Sequence, residues 1–195
     1  MWPGGPTTDL TPTNALAEAH GLSNSGIVAG WSRNASGATE ATRWIGGQGS
    51  FLGWLPGHIG SLAQDASDAG LICGWSVTSV GDPVACVWID GNSEAINVAQ
   101  SWAIAVSETG DVVGRRWAGV DTQAFRWRAG ELVVLPDLGP HNAQAVGISP
   151  AGPASAQADD VNDAGIAVGT AFIDPVAETP SRWSGAEPAP RTSTD

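Results

Sequence analysis

The sequence predicts an all-β fold made of repeats, and three observations predict it. The chain of 195 residues holds 26 Gly and 13 Pro, with clusters of Ser, Thr, Asn and Asp that break any helical pattern every few residues. It has no Lys and sparse Leu, and its large side chains are mostly indoles, 10 Trp against 3 Phe and no Tyr. The third observation is self-similarity, which must be found before elements are assigned. AHGLSNSGIVAGW, Ala19 to Trp31, returns as AQDASDAGLICGW from Ala63, AIAVSETGDVVGR from Ala103 and ADDVNDAGIAVGT from Ala158.

Each copy reads Ala, two residues, an apolar residue, Ser or Asn, two residues, Gly, three residues, Gly. The second glycines are Gly30, Gly74, Gly114 and Gly169, and Trp44, Trp88, Trp127 and Trp183 follow them by 14, 14, 13 and 14 residues. The copies start 44, 40 and 55 residues apart. The long spacing contains an extra half motif, AVGISPAG at Ala145 to Gly152, so the period is about 42, in the range of four-stranded propeller blades. The units run approximately 15–57, 58–98, 99–140 and 141–186 of a single repeat domain, with the half motif at 145–157 and a disordered tail at 187–195.

Within one unit, Ala19 to Ser23, Ile27 to Ser32, Ala41 to Ile45 and Phe51 to Leu55 are short runs bounded by turn residues, one small antiparallel sheet. The Ser-Asn-Ser-Gly and Ser-Asp-Ala-Gly steps suit tight turns. Residues 71–77 and 83–89 form a hairpin in the second unit. Alternation places Val28, Gly30 and Ser32 on one face, matched by Ile72, Gly74 and Ser76. A strand-centre Gly implies a close neighbour, read here as an adjacent sheet or Trp ring at the seam between units. The fold class is therefore an all-β propeller or partial propeller of about four antiparallel four-stranded units. A β-solenoid, whose rungs are shorter than about 40 residues, is the alternative.

TQAFRWRAGELVVLPDLG, Thr122 to Gly139, with the recurring Ala…Gly…Val-Val-Gly motif, resembles the HAF family of bacterial extracellular repeats. LGWLPGHIGSLAQDASDAGLICGW, Leu52 to Trp75, is similar to the connection between two such units. The copies depart from the family pattern: Gln123 stands in place of the name-giving His, Thr42, Cys86 and Ser181 in place of Phe, and the unit after Trp88 lacks the Leu-Pro-Gly link. The resemblance implies a propeller-like architecture and an extracellular or cell-surface setting, and it brings no catalytic residues. MWPGGPTTDL itself has neither the basic start nor the apolar stretch of a signal peptide.

Composition narrows the function. Eight Arg against 20 acidic residues give a net charge of −12, which repels nucleic acid and anionic lipid. No apolar run approaches the roughly 18 residues of a membrane span. Three His and an acidic run at Asp159–Asp163 match no zinc or EF-hand spacing, so neither a metal nor a cofactor is expected. Motifs of nucleophilic or phosphate chemistry are missing, and so is the Tyr that a sialidase-type propeller would need. The expected function is a non-catalytic binding or surface-interaction module whose partner is a carbohydrate or another surface protein. A carbohydrate-active propeller enzyme and a structural fragment of a longer repeat protein are the alternatives.

The four in-phase Trp residues read as core anchors. Trp31, Trp75 and Trp117 are the better ligand platforms, and Arg43 and Arg126, each just before a repeat Trp, form a row suited to an acidic sugar. Cys73 and Cys86, on the two arms of the predicted hairpin, are placed for a cross-strand disulfide.

Overall fold

The computed structural model describes residues 9, 10, 16–119 and 121–135, and the backbone of Ala158–Val161, Ala167–Asp174 and Ala177–Trp183. The half motif at 145–157, the tail at 187–195, His141 and the side chains of Asp159–Asp163 lie outside the described residues. All described regular structure is β, in three four-stranded antiparallel sheets and one three-stranded sheet.

The first sheet is β1 (Ala17–Leu22), β2 (Ile27–Arg33), β3 (Thr39–Ile45) and β4 (Gln48–Phe51); the second is β5 (Gly60–Ala66), β6 (Ile72–Val77), β7 (Pro83–Ile89) and β8 (Asn92–Ala99). The third comprises β9 (Ser101–Val106), β10 (Val112–Ala118), β11 (Asp121–Arg128) and β12 (Glu131–Val134), and the fourth β13 (Ala158–Val161), β14 (Ala167–Asp174) and β15 (Ala177–Trp183). Each is a meander in chain order. The chain divides into two compact units, Met1–Val106 and Ser107–Asp195, so the boundary follows β9.

The turns explain why the strands begin where they do. In the β1–β2, β5–β6 and β9–β10 turns the N–H of Ser23, Ser67 or Ser107 donates to the carbonyl four residues on. The serine hydroxyl accepts the N–H of that same residue, Ile27, Leu71 or Asp111. The glycine in third place after the serine takes left-handed backbone, φ 85° at Gly26, which L side chains avoid. Asn34 and Thr78 organise the β2–β3 and β6–β7 turns in the same way, accepting from the N–H of Ala38 and Asp82.

The β3–β4, β7–β8 and β11–β12 turns are two residues long, both at positive φ: Gly46–Gly47, Asp90–Gly91 and Ala129–Gly130. This is the type I′ geometry that matches strand twist. It also moves the predicted fourth strand. Gly46–Gly47 turns the chain at once, so β4 is Gln48–Phe51 and not Phe51–Leu55, and its polar residues hid it from a hydrophobic pattern.

The strand-centre glycines have a different cause from the one expected. A Cβ on Gly30 would lie 2.0 Å from the Glu18 carbonyl oxygen, and one on Gly74 2.0 Å from that of Leu62. The close neighbour is thus the first strand of the same sheet, not an adjacent sheet or a Trp ring. Bulges at His20 and Gln64 press that strand inward, since the register slips between Ala19 and Gly21 and between Ala63 and Asp65. The slip also returns Ala66 to the face of Ala63, so both reach the core.

In the first unit, β5 packs against β1, β2 and β3, and β9 against β5, β6 and β7. The core between the first two sheets joins Ile27, Ala29, Ala41, Leu52 and Leu55 to Ala63, Ala66, Ile72, Cys86 and Trp88. Trp44, Trp88 and Trp127 are all buried. Two serines stitch the sheets together. Ser61 accepts the Ala41 N–H at 2.9 Å and donates to the Gly53 carbonyl at 2.7 Å, and Ser101 accepts the Ala85 N–H at 2.9 Å. Ser61 and Ser101 are fully buried, and they satisfy a strand N–H that has no ladder partner.

Candidate arginine-lined face of the third sheet

Of the five residues singled out as ligand-binding, two pairs share a face. In the first sheet, Trp31 lies opposite Ala41 and Arg43 opposite Ala29, which places both on the side that packs against β5. They are half-buried and engaged, with Trp31 Nε1 donating to Glu18 Oε2 at 3.3 Å and Arg43 Nε to Ser50 Oγ at 3.2 Å. Trp75 in β6 is half-buried, between Leu62 and Ala85 in the ladder.

In the second unit, Trp117 lies opposite Thr122 and Arg126 opposite Val113, one face of β10–β11 that also carries Arg115 and Arg128. Trp117 is 45% exposed. Arg126 and Trp127 alternate, so the arginine faces away from the buried indole. Three of the chain's eight Arg residues therefore occupy one face of one hairpin.

Asp111 organises this face. Its side chain is only 10% exposed, and its Oδ1 accepts from Arg126 Nε at 2.7 Å and Nη2 at 2.6 Å, while Oδ2 meets Arg128 Nη1 at 3.4 Å. Arg126, Arg128, Ala129, Glu131 and Val133 line a shallow groove of ≈ 290 Å³. The ladder explains the grouping, since Arg126 pairs with Val133 and Arg128 with Glu131 across β11–β12. Asp111 uses two of the five N–H donors of Arg126 and one of Arg128, which leaves both guanidiniums with donors for a further acceptor.

Sequence reasoning missed Asp111, Arg128, Glu131 and Val133, although a signal was present. Asp111 occupies the repeat position of Ile27 and Leu71, Arg126 that of Val87, and Arg128 that of Ile45 and Ile89. Reading the copies against one another, and not only for what they share, exposes this change from apolar to charged at Asp111 and Arg128, whereas Arg126 keeps the arginine of Arg43 and Arg182. On the opposite face Arg116 donates through Nε and Nη2 to Gln123 Oε1, at 3.1 and 2.8 Å, so Gln123 orients a guanidinium.

The disulfide expectation is corrected. Cys73 lies opposite Val87 and Cys86 opposite Gly74, one step out of register, so their side chains leave the hairpin on opposite faces and both thiols are free. Both are fully buried. Burial, reinforced by the nearby Asp65 carboxylate, pushes the Cys73 thiol well above its ordinary value, and burial pushes up that of Cys86. Neither is a nucleophile at neutral pH. Among the described residues no group of three or more His, Cys, Asp or Glu is placed to hold a metal ion.

No protein-family model and no curated protein matches the chain.

Proposed function

We propose that this chain is a non-catalytic repeat module, of the propeller type and acting outside the cell, that binds an acidic saccharide through the face of β10–β12. The observation that carries the reading is that Asp111 and Arg128 stand in the third copy where the second has Leu71 and Ile89, and that they join Arg126, an arginine also present in the first copy as Arg43, in one charged cluster. An apolar face needs no such ion pairs to hold its strands, and placing charges there costs desolvation unless they serve contact with something polar. A uronic acid carboxylate matches the planar guanidinium fork, and its ring suits the exposed Trp117 indole further along the same face. Trp117 stands about 13 Å from Arg126 along the sheet at four strand residues, which suits an oligosaccharide and not a single sugar.

The propeller arrangement is supported by the way the first strand of the second and of the third sheet packs on the sheet before it, β5 on β1–β3 and β9 on β5–β7. The extracellular setting is supported by the likeness to HAF repeats around Phe125 and Trp127.

The test is isothermal titration of the intact chain with polygalacturonate and with uncharged dextran. Binding to the first that Arg128→Ala and Trp117→Ala each weaken by about tenfold, equivalent to about 1.4 kcal/mol, is the expected result. Equal binding of both polymers, or none of either, would sink the reading.

A further inference from the structure

The groove beside Arg126 and Arg128 holds as much negative charge as positive. Val112 pairs with Trp127 and Arg128 with Glu131, so Asp111, Arg128 and Glu131 follow one another across the sheet with the arginine in the middle. Arg128 turns to Asp111, at 3.4 Å, the acid whose side chain is 10% exposed. Glu131, on the other side of Arg128, is exposed and lines the groove with Arg126, Arg128, Ala129 and Val133. Among the described residues it forms no hydrogen bond or ion pair, although cross-strand partners have Cβ atoms only about 5 Å apart. One groove thus offers a free carboxylate beside the guanidinium donors that Asp111 leaves unused.

We propose that Glu131 sets the specificity of this face: it accepts the hydroxyls of the sugar ring whose carboxylate the arginines bind, and it turns away polymers that carry sulfate in place of those hydroxyls. This rests on the acidic-saccharide reading above and narrows the ligand to a hexuronate with neighbouring free hydroxyls. An ionised carboxylate only accepts hydrogen bonds and a guanidinium only donates them, so Glu131 is complemented by a donor and Arg126 and Arg128 by an acceptor. A uronate ring presents both, its carboxylate at one end and hydroxyl donors at the other, and the cross-strand spacing of about 5 Å is comparable with the width of a pyranose ring. A sulfated sugar presents acceptors only and sets an anion against Glu131, so repulsion adds to the lost hydrogen bonds. Net charge works in the same direction. Arg126 and Arg128 are balanced by Asp111 and Glu131, which leaves the groove no excess positive charge to hold a dense polyanion, and the chain around it carries −12.

Isothermal titration of the intact chain with polygalacturonate and with dextran sulfate, both at an ionic strength of about 0.15 M, tests this. Wild type should bind polygalacturonate about tenfold or more tightly than dextran sulfate. Glu131→Gln keeps the size of the side chain and removes its charge, and it should narrow that preference by about tenfold, chiefly by admitting the sulfated polymer. Glu131→Ala, at the same exposed position, should narrow it as well. Glu94→Gln removes the same charge from an exposed position in β8 and should leave the preference unchanged. Equal wild-type affinities, a preference that survives both Glu131 variants, or one that Glu94→Gln narrows as much would overturn the role of Glu131 and leave the arginine-lined face standing. Binding of neither polymer would overturn both.

Discussion

The Asp111 carboxylate holds Arg126 through Nε and Nη2, at 2.7 and 2.6 Å, from a side chain only 10% exposed immediately before β10. One acid thus fixes the turn that follows β9 and the arginine at the middle of β11. Asp111→Ala should lower stability by about 1–2 kcal/mol, since the arginines are partly solvated and lose only part of the pair's value. Arg128→Ala should cost under about 0.5 kcal/mol, because that contact is 3.4 Å long at a half-exposed side chain. Urea unfolding of the two variants checks the order; a costlier Arg128→Ala would contradict it.

Removing the Ser61 hydroxyl strands the Ala41 N–H inside the seam. Ser61→Ala should therefore cost about 1–3 kcal/mol, the penalty for a buried donor left without an acceptor. Ser101→Ala should cost about the same through Ala85. Urea midpoints of both variants that stay within error of wild type would show that water replaces the hydroxyl.

Ala129 sits at φ 47°, a left-handed position that Gly46 fills in the equivalent turn. Ala129→Gly should raise stability by up to about 1 kcal/mol by relieving the steric cost of Cβ there. The gain is read as a rise in thermal midpoint; a fall would mean that unfolded-chain entropy outweighs the strain.

Stability should fall in alkali for one reason. The chain has no Lys and no Tyr, so above pH 9 the two thiols are its main titrating side chains. In the folded state both stay protonated, while in the unfolded chain they ionise near their ordinary value of 9.0. The unfolded state then binds fewer protons, so the stabilising contribution is whole below pH 9 and declines above it. The slope is about 1.4 kcal/mol per pH unit for each thiol. Urea titrations between pH 8 and 11 should show this decline in wild type and a much flatter profile in Cys73→Ala/Cys86→Ala.

The repeat, its four-strand unit and the serine–glycine turns were legible in the sequence because each has a local signature. Ser23, Ser67 and Ser107 with Gly26, Gly70 and Gly110 mark the turns without reference to anything distant. The reason for Gly30 and Gly74 was not legible, because it depends on a bulge at His20 or Gln64, and a bulge leaves no residue type that announces it. The disulfide failed on a single step of register, which the two-residue arithmetic of a hairpin cannot fix from composition. Arg126 was found from its place beside a repeat Trp, but Asp111 was not, since it sits where the other copies hold Ile27 and Leu71 and so fell outside the shared pattern.

The serine stitches bear on how the chain would behave under tension. Ser61 and Ser101 each tie a strand of one sheet to the opening strand of the next, so a pull applied at the two ends loads these hydroxyl contacts across the seams. Each seam that parts exposes an apolar face and a stranded amide together, which makes the failure abrupt and confines it to one repeat at a time. Extension should then proceed in steps on the order of 130 Å, the contour length of about 40 residues, and Ser61→Ala should lower the force of one step and leave its length unchanged.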